Sequence, residues 1–304
     1  MRAHTPAEQR RFERRAASGM LVKPMRGMYA DAKEWKELSS SEQARRIVAT
    51  LADCHEDWVF CLFSAAAVYG LEIGRESILP IHRWSEKHSG KNRSGTIVTH
   101  RGKGVTPKLV DDIAVTPPLQ TVVDCLCALS FPRALAIADS AMRVLGLDKT
   151  SLMDELQSRG TCPGWRIARD AITYADPLSA NGGESVARAV MIEQGFMIPQ
   201  LQVEMHDPLE PTKVFYVDYF WNLGERGSVI GELDGKDKYV LPEMTASRDV
   251  LDVLRAERMR ESRVSVKGAK VLRFTYRDVL NTERFCEMLC LYGVPRGAAR
   301  PIGE

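Results

Sequence analysis

The stretch VIGELDGKDKY, Val229 to Tyr239, sets Glu232 and Asp234 two apart, with Gly235, Lys236 and Lys238 directly behind them. Upstream, KVFYVDYF carries one acid, Asp218, in an otherwise apolar and aromatic run. Side chains alternate along a strand, so Val214, Tyr216, Asp218 and Phe220 share a face. An unpaired carboxylate on such a face is costly, which implies a metal ion, a lysine or a network of donors beside it. Folding the two runs into a hairpin through WNLGERG brings Asp218 opposite positions near 230 and makes Glu232 its diagonal neighbour on the same face. Asp234 keeps that parity, and Gly235 permits a turn that returns Lys236 or Lys238 toward the acids.

Acidic oxygens without clustered thiols or imidazoles select a hard cation, Mg²⁺ or Mn²⁺. Such an ion polarises a phosphodiester and offsets charge on the leaving oxygen, while a lysine positions water or stabilises the transition state. Glu184, on a helix after Gly182 and Gly183, is a further candidate ligand or supporting acid; Arg188, four residues on, is equally placed to neutralise it. The competing account is a set of solvated strand-end charges beside a structural Glu184–Arg188 pair.

The elements that must position these residues form an α/β (α+β) pattern. Helix GGESVARAVMIEQG leads to strands QLQVEMH, KVFYVDYF and SVIGEL, then a helical span from about Ala246 to Ser262, strand GAKVLRFTY and helix TERFCEMLCLYG. The polar break QSRGTCPGW at 157–165 marks the main boundary, giving a C-terminal domain over 165–296 and a middle domain over 36–160. Residues 40–73 read as two helices, the second centred on WVFCLFSAAAVYGLEIG. Short β-prone runs follow from Ile78 to Val115, then two helices, one opened by Pro117 and Pro118 and the next closed near Gly146. Residues 1–35 make a short helix behind Thr5-Pro6, a stop at Gly19 and two β runs around Arg26-Gly27. That order is the second half of a winged helix-turn-helix, in which a helix enters the major groove and hairpin arginines meet phosphate. Arg10, Arg11, Arg14 and Arg15 recur at helical spacing, and Lys23 and Arg26 belong to the hairpin; a solvated basic helix is the alternative.

Composition frames these readings. A chain of 304 residues with 44% apolar and 27% charged residues is an ordinary soluble protein of more than one domain, with no apolar run long enough for a membrane span. The basic N-terminus lacks the apolar segment of a secretory leader, so the cytoplasm is the expected compartment. Seven scattered cysteines have neither zinc-ligand spacing nor the pattern of a disulfide framework; they read as free, mostly buried thiols, with Cys286 and Cys290 facing the core of a helix. Net charge is only +2, yet residues 1–27 carry seven Lys or Arg against two Glu, and residues 82–108 seven against one. Basic character is therefore concentrated in two segments. Isolated histidines such as His55 and His100 read as surface or packed residues, and no Gly-rich phosphate loop or nucleophile triad supports a small-molecule enzyme.

RRAASGMLVKPMRGMYA, FSAAAVYGL and IAVTPPLQTVVDCLCAL together resemble the AbiEi-family antitoxin-like proteins, which carry an N-terminal winged helix. GESVARAVMIEQGF, PQLQVEMHD, VFYVDYFW, VIGELDGKDKY, ERMRESRV and VLRF are similar to the restriction-endonuclease-like PD-(D/E)xK superfamily, in its branch related to very-short-patch-repair endonucleases. The second resemblance implies Asp218 as the central metal ligand, Glu232 as the second, Glu184 as the helix acid and Gln202 as a supporting strand residue. The lysine usual two positions after the second acid is Asp234 here, so Lys238 or Lys236 would replace it. Together the resemblances imply DNA as partner, a Mg²⁺-dependent endonuclease as one function, and a non-catalytic antitoxin or autorepressor, partnered by a nucleotidyltransferase toxin, as the other.

Overall fold

A computed structural model describes residues 1–3, 5–86, 95–207, 210, 212–234, 268–298 and 302–303. It is a mixed α/β structure whose chain divides into two compact units, Met1–Thr173 and Tyr174–Glu304.

The first unit opens with α1 (Pro6–Ala17), whose start is written in its sequence. The Thr5 hydroxyl accepts from the Glu8 amide, the Glu8 carboxylate accepts from the Thr5 amide, and Pro6 sits where the helix needs no donor. Beyond the cap, Gly19 takes a left-handed φ of 77°, and the chain returns through the antiparallel pair β1 (Leu21–Val22) and β2 (Ala30–Asp31). Phe12, Leu21 and Tyr29 bury one another beneath this helix and hairpin. Two helices, α2 (Ala32–Glu37) and α3 (Ser40–Ala52), lead into a five-stranded sheet of order β5-β4-β3-β7-β6. Its strands are β3 (Val59–Phe60), β4 (Ile81–Ser85), β5 (Ile97–Arg101), β6 (Lys108–Val110) and β7 (Ile113–Val115). Helices α4 (Leu62–Val68), α5 (Pro118–Ala128), α6 (Phe131–Leu145), α7 (Lys149–Ser158) and α8 (Trp165–Tyr174) complete the succession, with α6 closed by left-handed Gly146.

The apolar run expected as one helix from Trp58 instead begins as a strand. Phe60 pairs with Arg83 on one side and Val115 on the other, so β3 is central in its sheet, and only Leu62–Val68 is helical. A two-residue strand inside an apolar run is too short to show a period that distinguishes it from a helix.

The second unit holds α9 (Gly182–Glu193) and a four-stranded sheet of order β11-β10-β9-β8, built from β8 (Gln200–His206), β9 (Val214–Asn222), β10 (Ser228–Asp234) and β11 (Ala269–Thr275). β9 runs antiparallel to both β8 and β10, while β10 and β11 run parallel. Helices α10 (Tyr276–Leu280) and α11 (Thr282–Tyr292) follow. An aromatic chain forms the core, with ring centroids 6.2 Å apart from Trp221 to Tyr219, 5.7 Å from Tyr219 to Phe274 and 4.8 Å from Phe274 to Phe285. The Tyr219 hydroxyl donates to the backbone carbonyl of Glu184 at 2.9 Å, fixing α9 onto β9. The helical span expected at Ala246–Ser262 lies outside the described residues.

All seven cysteines are free thiols, but the expectation that most are buried is corrected: Cys61, Cys125 and Cys286 are buried, Cys127 and Cys162 half-buried, and Cys54 and Cys290 exposed. On α11 the buried stripe is Phe285, Cys286 and Leu289, which leaves Cys290 on its solvent edge. Among the described residues no helix is long and apolar enough to cross a membrane.

Candidate functional site

Strand register places the residues singled out in β8, β9 and β10 in one row. Gly231 pairs with Tyr219 as the last rung of the β9–β10 ladder, and its register carried one residue further would put Glu232 opposite Asp218, where the sequence implied a diagonal neighbour. On the other side Leu201 pairs with Tyr219 and Val203 with Val217, which brackets Gln202 against Asp218. Beyond Glu232 the parallel ladder continues to Arg273. Gln202, Asp218, Glu232 and Arg273 thus cross the sheet on four adjacent strands.

Two local features mark this row as something other than regular sheet. Gln202 holds a left-handed φ of 48°, a conformation that costs a non-glycine residue free energy and interrupts its ladder. Asp218 accepts a hydrogen bond from the Leu233 amide at 2.9 Å, so a side chain takes a backbone donor where β9 and β10 part. That bond supplies one donor to Asp218, which is half-buried on its strand.

Asp234 is held by Arg273, whose NH1 lies 3.1 Å from its Oδ1. Arg273 was not among the residues singled out in the sequence; the arginine inside the apolar run KVLRF was the available signal. Glu184 is 5% exposed, and its carboxylate caps its own helix, accepting from the Ala180 amide and the Asn181 side-chain amide, each at 2.7 Å. Arg188, also buried, donates to the Tyr174 carbonyl at 2.7 Å. Lys236 and Lys238 lie outside the described residues. Among the described residues no three His, Cys, Asp or Glu side chains stand together as a ligand set.

In the first unit, Arg10, Arg11 and Arg14 are exposed on α1 and Arg15 is half-buried, while Phe12 turns inward. Lys23 and Arg26 are exposed in the loop joining β1 to β2; Lys23 approaches Glu13 at 3.8 Å and covers the Tyr29 ring. Of the second basic segment, residues 87–94 lie outside the described residues, and Arg101, Lys103 and Lys108 are exposed.

A further polar cluster was invisible in the sequence because its members are far apart there. His82 and His100 are not isolated: Nδ1 of the first lies 2.8 Å from Nε2 of the second. Burial pushes the His82 imidazole down to about 4, with His100 adding to the effect, and burial likewise lowers His100. Nearby, Arg159 donates to Asp124 at 2.5 Å, to Glu155 at 2.7 Å and to the Gln120 carbonyl at 3.1 Å. Burial raises the Asp124 carboxyl, and the Arg159 charge opposes that rise.

Comparison with known proteins gives distant relatives. The chain is 30% identical over 163 residues to Uncharacterized protein Rv2248 of Mycobacterium tuberculosis strain H37Rv, covering 54% of this chain and 58% of that protein. Uncharacterized protein MT2308 of Mycobacterium tuberculosis strain CDC 1551 matches with the same identity and coverage. No family model matches the chain, and no solved structure does.

Proposed function

We propose that the protein is a metal-dependent DNA endonuclease of the cytoplasm, cutting through the second unit and holding DNA through the basic residues of the first. The row Gln202, Asp218, Glu232 and Arg273 carries this reading, because two acids fall on adjacent strands just past the last rung of the β9–β10 ladder, with Arg273 paired to Glu232 on the next strand. Two hard oxygen donors suit a Mg²⁺ or Mn²⁺ ion that keeps most of its waters, with Asp218 and Glu232 as its protein ligands. When bound, the ion supplies Lewis-acid polarisation of the phosphodiester and offsets charge on the leaving oxygen. The Leu233 amide fixes the orientation of Asp218, and Arg273 holds Asp234 away from competing for the cation. Lys238 or Lys236 positions the attacking water. Supercoiled plasmid incubated with the protein and Mg²⁺ or Mn²⁺ tests the reading: nicking is expected, with a loss of about 100-fold or more in Asp218→Ala. No nicking by the unaltered protein, or equal nicking by the variant, overturns it.

One observation favours a second reading. Asp234 stands where the superfamily's lysine is expected and is already paired with Arg273, an arrangement that suits a nuclease fold kept as a DNA-binding body. On that reading the protein is a non-catalytic antitoxin and autorepressor, with a nucleotidyltransferase toxin encoded beside it. Salt-sensitive binding to its own promoter, unchanged by Asp218→Ala and without nicking, is the expected result; absence of promoter binding sinks it.

A further inference from the structure

We propose that Cys127 and Cys162 are a redox modification site, joined by a peroxide-class oxidant into an intramolecular disulfide that ties the last turn of α5 to the loop ahead of α8. Their sulfurs lie 3.9 Å apart across 35 positions of sequence, and both residues are half-buried rather than sealed in the core. A disulfide needs about 2.05 Å, a closure that side-chain rotation supplies when the backbones are already close. Here the backbones are fixed on both sides of Cys162. Before it, Arg159 binds Asp124 and the Gln120 carbonyl, both on α5. After it, Gly164 takes a left-handed φ of 76°, and a Cβ there would overlap the backbone carbonyl of Cys127. The loop is therefore clasped to α5 at two points, with the sulfur pair between them.

The chemistry assigns an order. Burial and the neighbouring Cys162 push the Cys127 thiol up, which disfavours its thiolate and leaves the first attack to Cys162. The Cys162 thiolate attacks one oxygen of hydrogen peroxide; the O–O bond breaks, the Cys162 sulfenic acid forms and the released hydroxide takes a proton to become water. The Cys127 sulfur then attacks the sulfenic sulfur. The S–S bond forms, the S–O bond breaks, and the hydroxyl leaves with the Cys127 proton as a second water. Two thiols lose two electrons and one peroxide is reduced to two waters.

The test uses the full chain carrying Cys54→Ser and Cys290→Ser, which removes the exposed thiols. After graded hydrogen peroxide, free thiols are blocked with N-ethylmaleimide and the non-reduced digest is mapped by mass spectrometry. A peptide pair linking Cys127 to Cys162, absent after dithiothreitol, is expected. The oxidised protein should melt about 5 °C or more above the reduced one, because the bond closes a long loop in the unfolded chain. Full alkylation of both thiols, or Cys162 carried to sulfinic acid without the linked peptide, overturns the proposal. Should the serine background fail to fold, the same map on the unaltered chain reads the same peptide pair.

Discussion

At the scale of single residues, burial shifts the pH at which a side chain takes up its charge. His82 is 8% exposed on β4, with its ring edge-on to Phe63 and against His100, so protonation must take place in a poorly solvated site already shared with a second imidazole. Its pKa falls from 6.5 in the unfolded chain to about 4 in the fold. Between those values the unfolded state binds the proton and the folded state does not, so folding stability drops as pH falls through that window and is fully present above it. Urea unfolding at about pH 7 and about pH 5 should therefore show a larger loss of stability in the unaltered protein than in His82→Gln, which carries no titrating ring there. Equal losses would remove His82 as the source. Asp218 differs in having a backbone donor: its carboxylate accepts from the Leu233 amide at 2.9 Å.

At the scale of elements, the acid row depends on how closely β9 and β10 pack behind it. Gly231 precedes Glu232, and a Cβ there would stand 3.0 Å from Trp221 and 3.1 Å from Tyr219, rings that are fully buried and cannot withdraw. Gly231→Ala is expected to destabilise the second unit by about 1–3 kcal/mol, measured by denaturant unfolding, and to reduce any nicking along with it. A variant as stable as the parent would show that the aromatic layer yields. How much of this was legible beforehand follows from the same physics. Strand alternation and the glycine-containing loop put Asp218 and Glu232 on one face, and the caps of α1 and α6 were readable at Thr5-Pro6 and Gly146. Register was off by two residues, which keeps the face but changes the partner, because the loop between β9 and β10 turns through a short 3₁₀ segment at Gly224–Arg226, and loop conformation sets pairing. The left-handed Gln202 had no sequence signal, since glutamine marks no turn. Nor could spacing reveal His82 beside His100 or Cys127 beside Cys162, contacts made only by the assembled sheet and helices.

At the scale of the whole molecule, the exposed arginines of α1 and the acid row belong to different units. The chain is nearly neutral at +2, yet Arg10, Arg11 and Arg14 are exposed together on α1, while Asp218 and Glu232 belong to β9 and β10 in the other unit. A polyanion drawn to the arginines releases condensed counterions for each phosphate neutralised, so binding weakens with salt in proportion to the number of contacts. If each of the three arginines meets one phosphate, Arg10→Gln, Arg11→Gln and Arg14→Gln combined should lower the slope of log affinity against log salt by about 2.7. Fluorescence anisotropy on duplex DNA across a salt series measures this directly. Asp218→Ala, which touches only the acid row, should leave that slope unchanged whether or not the protein cuts. A triple variant with the parent's slope would move DNA contact away from α1 and leave its arginines as a solvated face, while a slope changed equally by Asp218→Ala would show that binding and the acid row are not separable.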